Sequence, residues 1–325
     1  MGRNGDSKFH GEPEGWRTGP EWRRRERRWW AGPVAGLVTV VVAVLAVRPE
    51  LLTDRLSGGD AGPAPAEVLP AETERPTAPP PREALPDRPT LDDPFAGSPA
   101  REWADNADGI EMPEPEAVGV ISAERMAEAL DLAREFLVAT NLDPEVIAGE
   151  VPEEGLAILD PTADVDDYVD RALSDPSREY DAASLFSRFH ADHATLLGDV
   201  VKVRGRTEVT EGEDGSATLH LDYTFVYPLV AADGSEEVTR TIVRRTIDLQ
   251  VLDPERWQIT PGTLWPGEWR VDRGNDDCAV TDGFLNPLFD SQLWEQPPPS
   301  GEERDPYDRS EEVAESEDCG LVSRI

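Results

Sequence analysis

The chain has 325 residues, with 31 Lys and Arg against 67 Asp and Glu and a formal net charge of −36. A balance this acidic argues against nucleic acid as a partner and against docking on anionic lipid through net charge, and it favours solubility at a crowded surface. The acid is unevenly placed: the head up to Arg28 holds 8 basic and 5 acidic residues, leaving 23 against 62 for the remainder.

Residues 1–28 are rich in glycine, polar residues and charge and show neither helical nor strand periodicity, which predicts a disordered basic tail. From Trp29 to Val47 no residue is charged. About 19 residues at 1.5 Å rise give about 28 Å, close to the hydrocarbon thickness of a bilayer, so this run predicts a transmembrane helix. Arg23, Arg24, Arg25, Arg27 and Arg28 precede it and only Arg48 follows directly, which places the N-terminus in the cytoplasm and everything after Arg48 outside. A basic stretch before an apolar run also describes a secretory signal peptide, with Val44-Leu45-Ala46 as its cleavage site, and that alternative stays open. On the anchor reading Cys278 and Cys319 lie in an oxidising compartment, where one disulfide is the default.

Residues 48–117 are dominated by Pro, Ala, Gly and Glu and predict a stalk, with Pro79-Pro80-Pro81 favouring extended polyproline geometry. Order is predicted from Val118 and runs to about residue 294. Ser122 is a suitable N-cap, and Met126, Ala129, Leu130, Ala133, Phe136 and Leu137 recur on one face of a helix ending near Thr140. Val165 to Leu173 and Tyr180 to Leu197 show the same spacing and predict two more helices. From Asp199 the period changes to two. Val201 and Val203 alternate with Lys202, Arg204 and Arg206. Ala217, Leu219, Leu221, Tyr223, Phe225 and Tyr227 then alternate with polar residues. Val238 to Leu252 reads as a third strand and Arg256 to Thr260 as a fourth. Three helices before a four-stranded antiparallel meander predict an α+β domain, and about 175 residues suffice for one core. The acidic tail 295–325 has no core of its own. A Cys278 to Cys319 link would tie it back, closing a loop of about 42 residues and removing about 4 kcal/mol of unfolded-chain entropy.

The helix-then-meander order and the ending Asp253-Pro254-Glu255-Arg256-Trp257-Gln258-Ile259 resemble the cone-shaped nuclear-transport-factor-like fold. The blocks Gly198 to Arg206, Asp222 to Val230, Glu237 to Arg245 and Asp305 to Ser310 resemble a set of actinobacterial predicted single-pass membrane proteins of unassigned function. The resemblance implies an extracytoplasmic cone-like domain on a membrane anchor; because that fold hosts enzymes, carriers and scaffolds, it does not choose among them.

Candidate chemistry is sparse. His190 and His193 are placed to offer two metal ligands without a third, His220 with Asp222 could form an acid-base pair, and Asp272, Asn275, Asp276 and Asp277 lack the spacing of a calcium loop. No metal or cofactor is expected, and no nucleophile elbow, phosphate loop or nucleotide-binding glycine pattern occurs in the outer part. Trp257, Trp265 and Trp269 suggest aromatic packing over the end of the sheet, with a sugar-stacking platform as the other possibility. Lys202, Arg204, Arg206, Arg240 and Arg244 share one face of the sheet, opposite the apolar one. They predict a docking surface for an acidic protein, an anionic wall polymer or the chain's own acidic tail, unless Glu208, Asp222 and Asp248 pair with them across strands. Arg245 falls on the inward parity and requires either a bulge or an internal carboxylate. The resulting expectation is a single-pass, non-enzymatic docking protein of the cell envelope, held in the bilayer by Trp29 to Val47. The alternative is a small-ligand-binding protein or enzyme using the cone's interior.

Overall fold

The computed structural model describes residues 87–293 apart from 278, and in the tail 303–310, 313, 321, 322 and 325. The tail at 1–28, the transmembrane run, the stalk as far as residue 86 and both cysteines lie outside the described residues.

In chain order the elements are β1 (Ala104–Asp105), α1 (Ala123–Asn141), α2 (Pro144–Ile147), α3 (Glu153–Leu156), α4 (Val165–Ser174), β2 (Ala194–Leu196), β3 (Lys202–Glu211), β4 (Ala217–Ala231), β5 (Val238–Val251), β6 (Trp265–Gly274), α5 (Asp290–Leu293), β7 (Glu303–Arg304) and β8 (Leu321–Val322). The fold is α+β, with a six-stranded antiparallel sheet ordered β1-β3-β4-β5-β6 and β2 paired to the far end of β4. β7 and β8 pair in parallel as a separate ribbon.

Alternation builds the sheet. The inward positions Leu219, Leu221, Tyr223, Phe225 and Tyr227 of β4 and Val243, Ile247 and Leu249 of β5 join the apolar stripe of α1 in one core. α1 begins as expected at Ser122, whose hydroxyl accepts from the Arg125 N–H (3.3 Å). The outer face has a smaller core of its own, in which Phe95, Ala100, Trp103 and Tyr307 cover Val226 and Ile242.

That second core corrects the stalk boundary. Residues 87–117 were expected to be linker, yet Phe95 and Trp103 are buried in the outer core and Ile110 in the inner one. Val226 and Ile242 are apolar residues on the outward parity, and two aromatic side chains from a proline-rich stretch remove them from water. Each large side chain so buried contributes about 1.5–3 kcal/mol.

Two further expectations are corrected. Tyr180 to Leu197 is not a helix: it holds a short 3-10 turn at Ala182–Ser184 and ends in β2. Its backbone serves other elements instead, the Ser187 N–H donating to the Thr140 carbonyl (3.0 Å) and the Phe189 N–H to that of Ile147 (2.9 Å), so it satisfies the exposed ends of α1 and α2. Arg256 to Thr260 is not a strand, and β6 completes the meander. Trp257 N–H turns back to the Asp253 carbonyl (2.8 Å), and Thr260 N–H donates to Asp160 Oδ2 (2.6 Å).

Asp160 is fully buried, and it fastens that connection to the helical side by accepting from Thr162 N–H (2.8 Å), Thr162 Oγ1 (2.5 Å) and Thr263 Oγ1 (3.0 Å) as well. Burial alone would raise its pKa; the hydrogen bonds from Thr162, Thr260 and Thr263 outweigh it and hold the carboxyl at about 2. Asp160→Asn is expected to cost about 1–3 kcal/mol at neutral pH. Because the folded pKa lies below that of an unfolded aspartate, the wild type's advantage is fully present above about pH 4 and disappears as the pH falls through about 2. Urea midpoints of both proteins at neutral and acid pH check this; a gap that does not close in acid would refute it.

Candidate functional site

The inner face is closed around Arg245. Its side chain is 1% exposed, with Nε donating to Asn141 Oδ1, Nη1 to the Ala183 carbonyl and Nη2 to Ser187 Oγ, each at 2.9 Å. Ser187 Oγ in turn donates to Asn141 Oδ1 (3.0 Å), Asn141 Nδ2 donates to Thr140 Oγ1 (2.9 Å), and Tyr227 donates to the Asn141 carbonyl (3.0 Å). No bulge turns Arg245 outward, and neutral oxygens take the place of the expected internal carboxylate. Burial lowers its pKa to about 10, which still leaves it charged at neutral pH. Asp181, the nearby acid, is engaged by Arg273 (2.9 Å). An inner ligand would find these donors already spent.

On the outer face, β3, β4 and β5 set side chains in transverse rows fixed by register: Lys202, Val226 and Ile242; Arg204, Thr224 and Arg244; Arg206, Asp222 and Thr246; Glu208, His220 and Asp248; Thr210, Thr218 and Gln250. The five basic residues expected to form a docking face meet different fates. Lys202 Nζ pairs with Asp105 (2.6 Å) and donates to the Trp103 carbonyl (3.0 Å). Arg240 is 1% exposed and donates to the carbonyls of Pro94 (3.1 Å), Ala96 (2.7 Å) and Ile325. Arg244 grips Asp222 with both Nε and Nη2 at 2.9 Å, which raises its pKa. Only Arg204 and Arg206 are exposed, and Arg206 lies 3.2 Å from Glu208.

The continuous basic stripe is therefore corrected to an exposed pair, because aspartates alternate with the arginines and two chain segments cover the rest. One of those segments is the tail, as one of the expected occupants, though it is held by its arginines rather than its acids. Arg309 reaches Asp222 Oδ1 (2.9 Å), Thr224 Oγ1 (2.6 Å) and the Arg204 carbonyl (3.1 Å), while Arg304 pairs with Asp272. Tyr307 meets Trp103 edge-on at 5.9 Å between ring centroids.

The other candidates separate. His190 pairs with Asp282 (2.9 Å) and stacks on Phe284, whereas His193 Nε2 faces the Pro287 carbonyl (2.9 Å), so the imidazoles do not converge. Asp272 holds Arg304, Asp276 holds Arg273 (3.3 Å), and Asn275 donates to Thr239 Oγ1 (2.8 Å). Among the described residues no three His, Cys, Asp or Glu side chains are placed to hold a metal. His220 pairs with Asp248 rather than Asp222: its Nδ1 lies 2.8 Å from Asp248 Oδ1 and its Nε2 2.8 Å from Thr210 Oγ1. This hydroxyl, imidazole and carboxylate order has the connectivity of a nucleophilic triad. It lies across three paired strands whose backbone N–H groups serve the ladder, so an oxyanion would find no preorganised donors there. The arrangement is a cross-strand polar ladder.

At the far end of the outer face is a groove of about 580 Å³. Thr218, Gln250 and Leu252 form its floor together with Trp265, which pairs with Gln250. The β3–β4 hairpin supplies one wall through Gly212 and Ser216, and the β5–β6 connection supplies the other through Trp257 and Gln258. A bulge in β6 decides its composition. Ile247 pairs with Trp269 but Leu249 with Pro266, a shift of one residue. Trp265 and Trp269 have the same parity and would share a face in a regular strand. The bulge sends Trp269 inward against Tyr168, 5.2 Å between centroids, and Trp265 outward into the groove. The tryptophans were legible in the sequence as a group; the glutamines beside them were not, because only the register reveals them as neighbours.

The chain matches no family model, no curated protein and no solved structure.

Asp222 is the point where sheet and tail meet, and Asp222→Asn leaves two guanidinium groups without their counter-charge. A loss of about 3 kcal/mol is expected, as for a largely buried pair broken on one side, together with new protease cleavage within residues 303–310. A tail as resistant as in the wild type would show that this clamp does not hold it.

Proposed function

We propose that the protein is a single-pass membrane protein of the cell envelope whose outer domain works by docking rather than by catalysis. The observation that carries this reading is the contrast between the two faces. Within the inner face Arg245 has its hydrogen bonds taken up by Asn141, Ser187 and Ala183, which speaks against a ligand there, while the outer face leaves Arg204 and Arg206 in solvent. Placement outside the membrane rests on the uncharged run from Trp29 to Val47 and the arginines before it. With the same placement comes a Cys278 to Cys319 disulfide. The nuclear-transport-factor-like resemblance is carried forward in the same way, as a cone whose interior is filled by its own side chains.

The docking partner is an anionic surface outside the cell, either an acidic protein or a wall polymer, met by Arg204 and Arg206. Arg240 and Arg244 take no part, since both are committed to the domain's own structure. Exposed charges of this kind steer association and are screened by salt.

Two measurements test the proposal. With a photocrosslinker at position 208 in the full-length protein in its native cell, Arg204→Ser with Arg206→Ser is expected to remove most of the crosslinked product, and rising salt to weaken it in the wild type; crosslinking that ignores both changes would eliminate the docking face. A membrane-impermeant protease applied to spheroplasts is expected to digest residues 87–325 and spare an epitope on residues 1–28. Protection of the folded domain would overturn the topology.

A further inference from the structure

We propose that the groove at the far end of the outer face binds neutral pyranose units of an extracellular polysaccharide, stacked on Trp257 and Trp265 and hydrogen-bonded by Gln250, Gln258 and Thr218. The polysaccharide's location rests on the reading that the domain lies outside the membrane; the chemistry of the groove does not.

Charge defines the ligand first. In a chain of which 30% of residues are charged, none of the described residues lining the groove is Asp, Glu, Lys or Arg. A charged ligand would enter without a counter-ion and lose its hydration for nothing. A purely apolar ligand fits little better, because two amides and a hydroxyl would be covered. Among the described residues, the side chains of Gln250, Gln258 and Thr218 have no protein hydrogen-bond partner. Each amide offers a donor and an acceptor side by side, the pattern that adjacent sugar hydroxyls satisfy.

The aromatic groups supply the remaining part. Trp257 is 42% exposed, an uncommon state for the largest side chain, and Trp265 is half-buried beside it in the lining. An indole face presents negative charge density to the slightly positive C–H groups of a pyranose face, so stacking gains more than area alone. Register puts Thr218, Gln250 and Trp265 on three consecutive strands, about 4.8 Å apart from one to the next. Polar and aromatic groups thus follow one another along the floor, as a chain alternating hydroxyl edges and C–H faces requires.

The groove is also built beforehand. Arg256 Nη1 donates to the Asp214 carbonyl (3.1 Å), tying one wall to the other. The hairpin wall is closed by Gly212 N–H to the Ser216 carbonyl (2.8 Å) and held from behind by Val120 N–H to the Gly215 carbonyl (2.8 Å). A site already in shape saves the ordering cost of binding. Its volume of about 580 Å³ falls within the usual range for small-molecule sites.

The test is calorimetric titration of the full-length protein, in lipid nanodiscs or in plain buffer should the anchor fail, so that a wrong topology and a wrong groove are seen separately. The probes are cellotetraose, chitotetraose, maltotetraose and, as an anionic control, tetragalacturonate. Saturable binding of at least one neutral probe in the millimolar range or tighter is expected. Trp257→Ala or Gln250→Leu should weaken it by about tenfold or more, Trp257→Tyr should retain it, and Arg206→Ser should leave it unchanged. No saturable binding by any neutral probe, an unaffected Trp257→Ala variant, or equal or tighter binding of tetragalacturonate would each overturn the proposal.

Discussion

Strand β5 withdraws three arginines from water, and much of the domain follows from what each guanidinium then requires. Removing such a charge from solvent without replacing its hydration costs several kcal/mol, so each recruits oxygen partners. Arg245, on the inner side, takes Asn141 from the end of α1 and Ser187 and Ala183 from the segment that follows α4. Arg244, on the outer side, takes both oxygens of Asp222. Arg240 takes the carbonyls of Pro94, Ala96 and Ile325. One strand thereby fixes α1 and the segment after α4 on one face and residues 94–96 and Ile325 on the other, by hydrogen bonds whose geometry the guanidinium fork dictates.

The same need explains how so acidic a chain uses its few cations. Much of its acid stays in solvent, while Asp222, Asp181, Asp272 and Asp276 are each matched to an arginine. Asp222 serves two at once, Arg244 of the sheet and Arg309 of the tail, which makes the sheet's middle rows self-sufficient. A face that satisfies its own charges has little to offer a partner. Outside the clamp lie Arg204 and Arg206 at one side and the groove at the end, the two places to which the proposals of docking and of sugar binding are confined.

How much of this was legible from residues alone depended on whether a segment's hydrogen bonds are local. In α1, cap and apolar spacing belong to the same run, and the period-two alternation of β4 and β5 is equally self-contained, so these elements read correctly. Tyr180 to Leu197 misled because the Ser187 and Phe189 N–H groups at its middle serve carbonyls of α1 and α2, far away in sequence, and break it into short local turns whose apolar spacing only imitates a helix. In Arg256 to Thr260 the chain turns back on Asp253 and only the last N–H leaves the segment, to Asp160. Phe95 and Trp103 are too few to mark a domain in a proline-rich stretch; their importance follows from Val226 and Ile242, two apolar residues on the otherwise polar side of the sheet. Arg245 could be placed inward by parity, but its partners could not be named, since three neutral oxygens from two distant segments leave no pattern in the sequence.

The groove is the furthest from sequence reading, because it exists through an irregularity. With β6 in unbroken register, Trp265 would fall opposite Val251, on the side of the core, and the end of the outer face would lose its aromatic floor. The one-residue shift between Ile247 and Leu249 gives Trp265 to Gln250 instead, while Trp269 keeps its place against Tyr168. Gly267 sits within the shifted stretch, where an added Cβ would come 3.0 Å from the Asp248 carbonyl oxygen, so a side chain there would press on β5. A strand without the bulge would have kept both indoles on the core side. The bulged strand leaves Trp265 half-buried beside the Gln250 amide, which has no partner among the described residues, a cost to the folded domain that binding at the groove would offset.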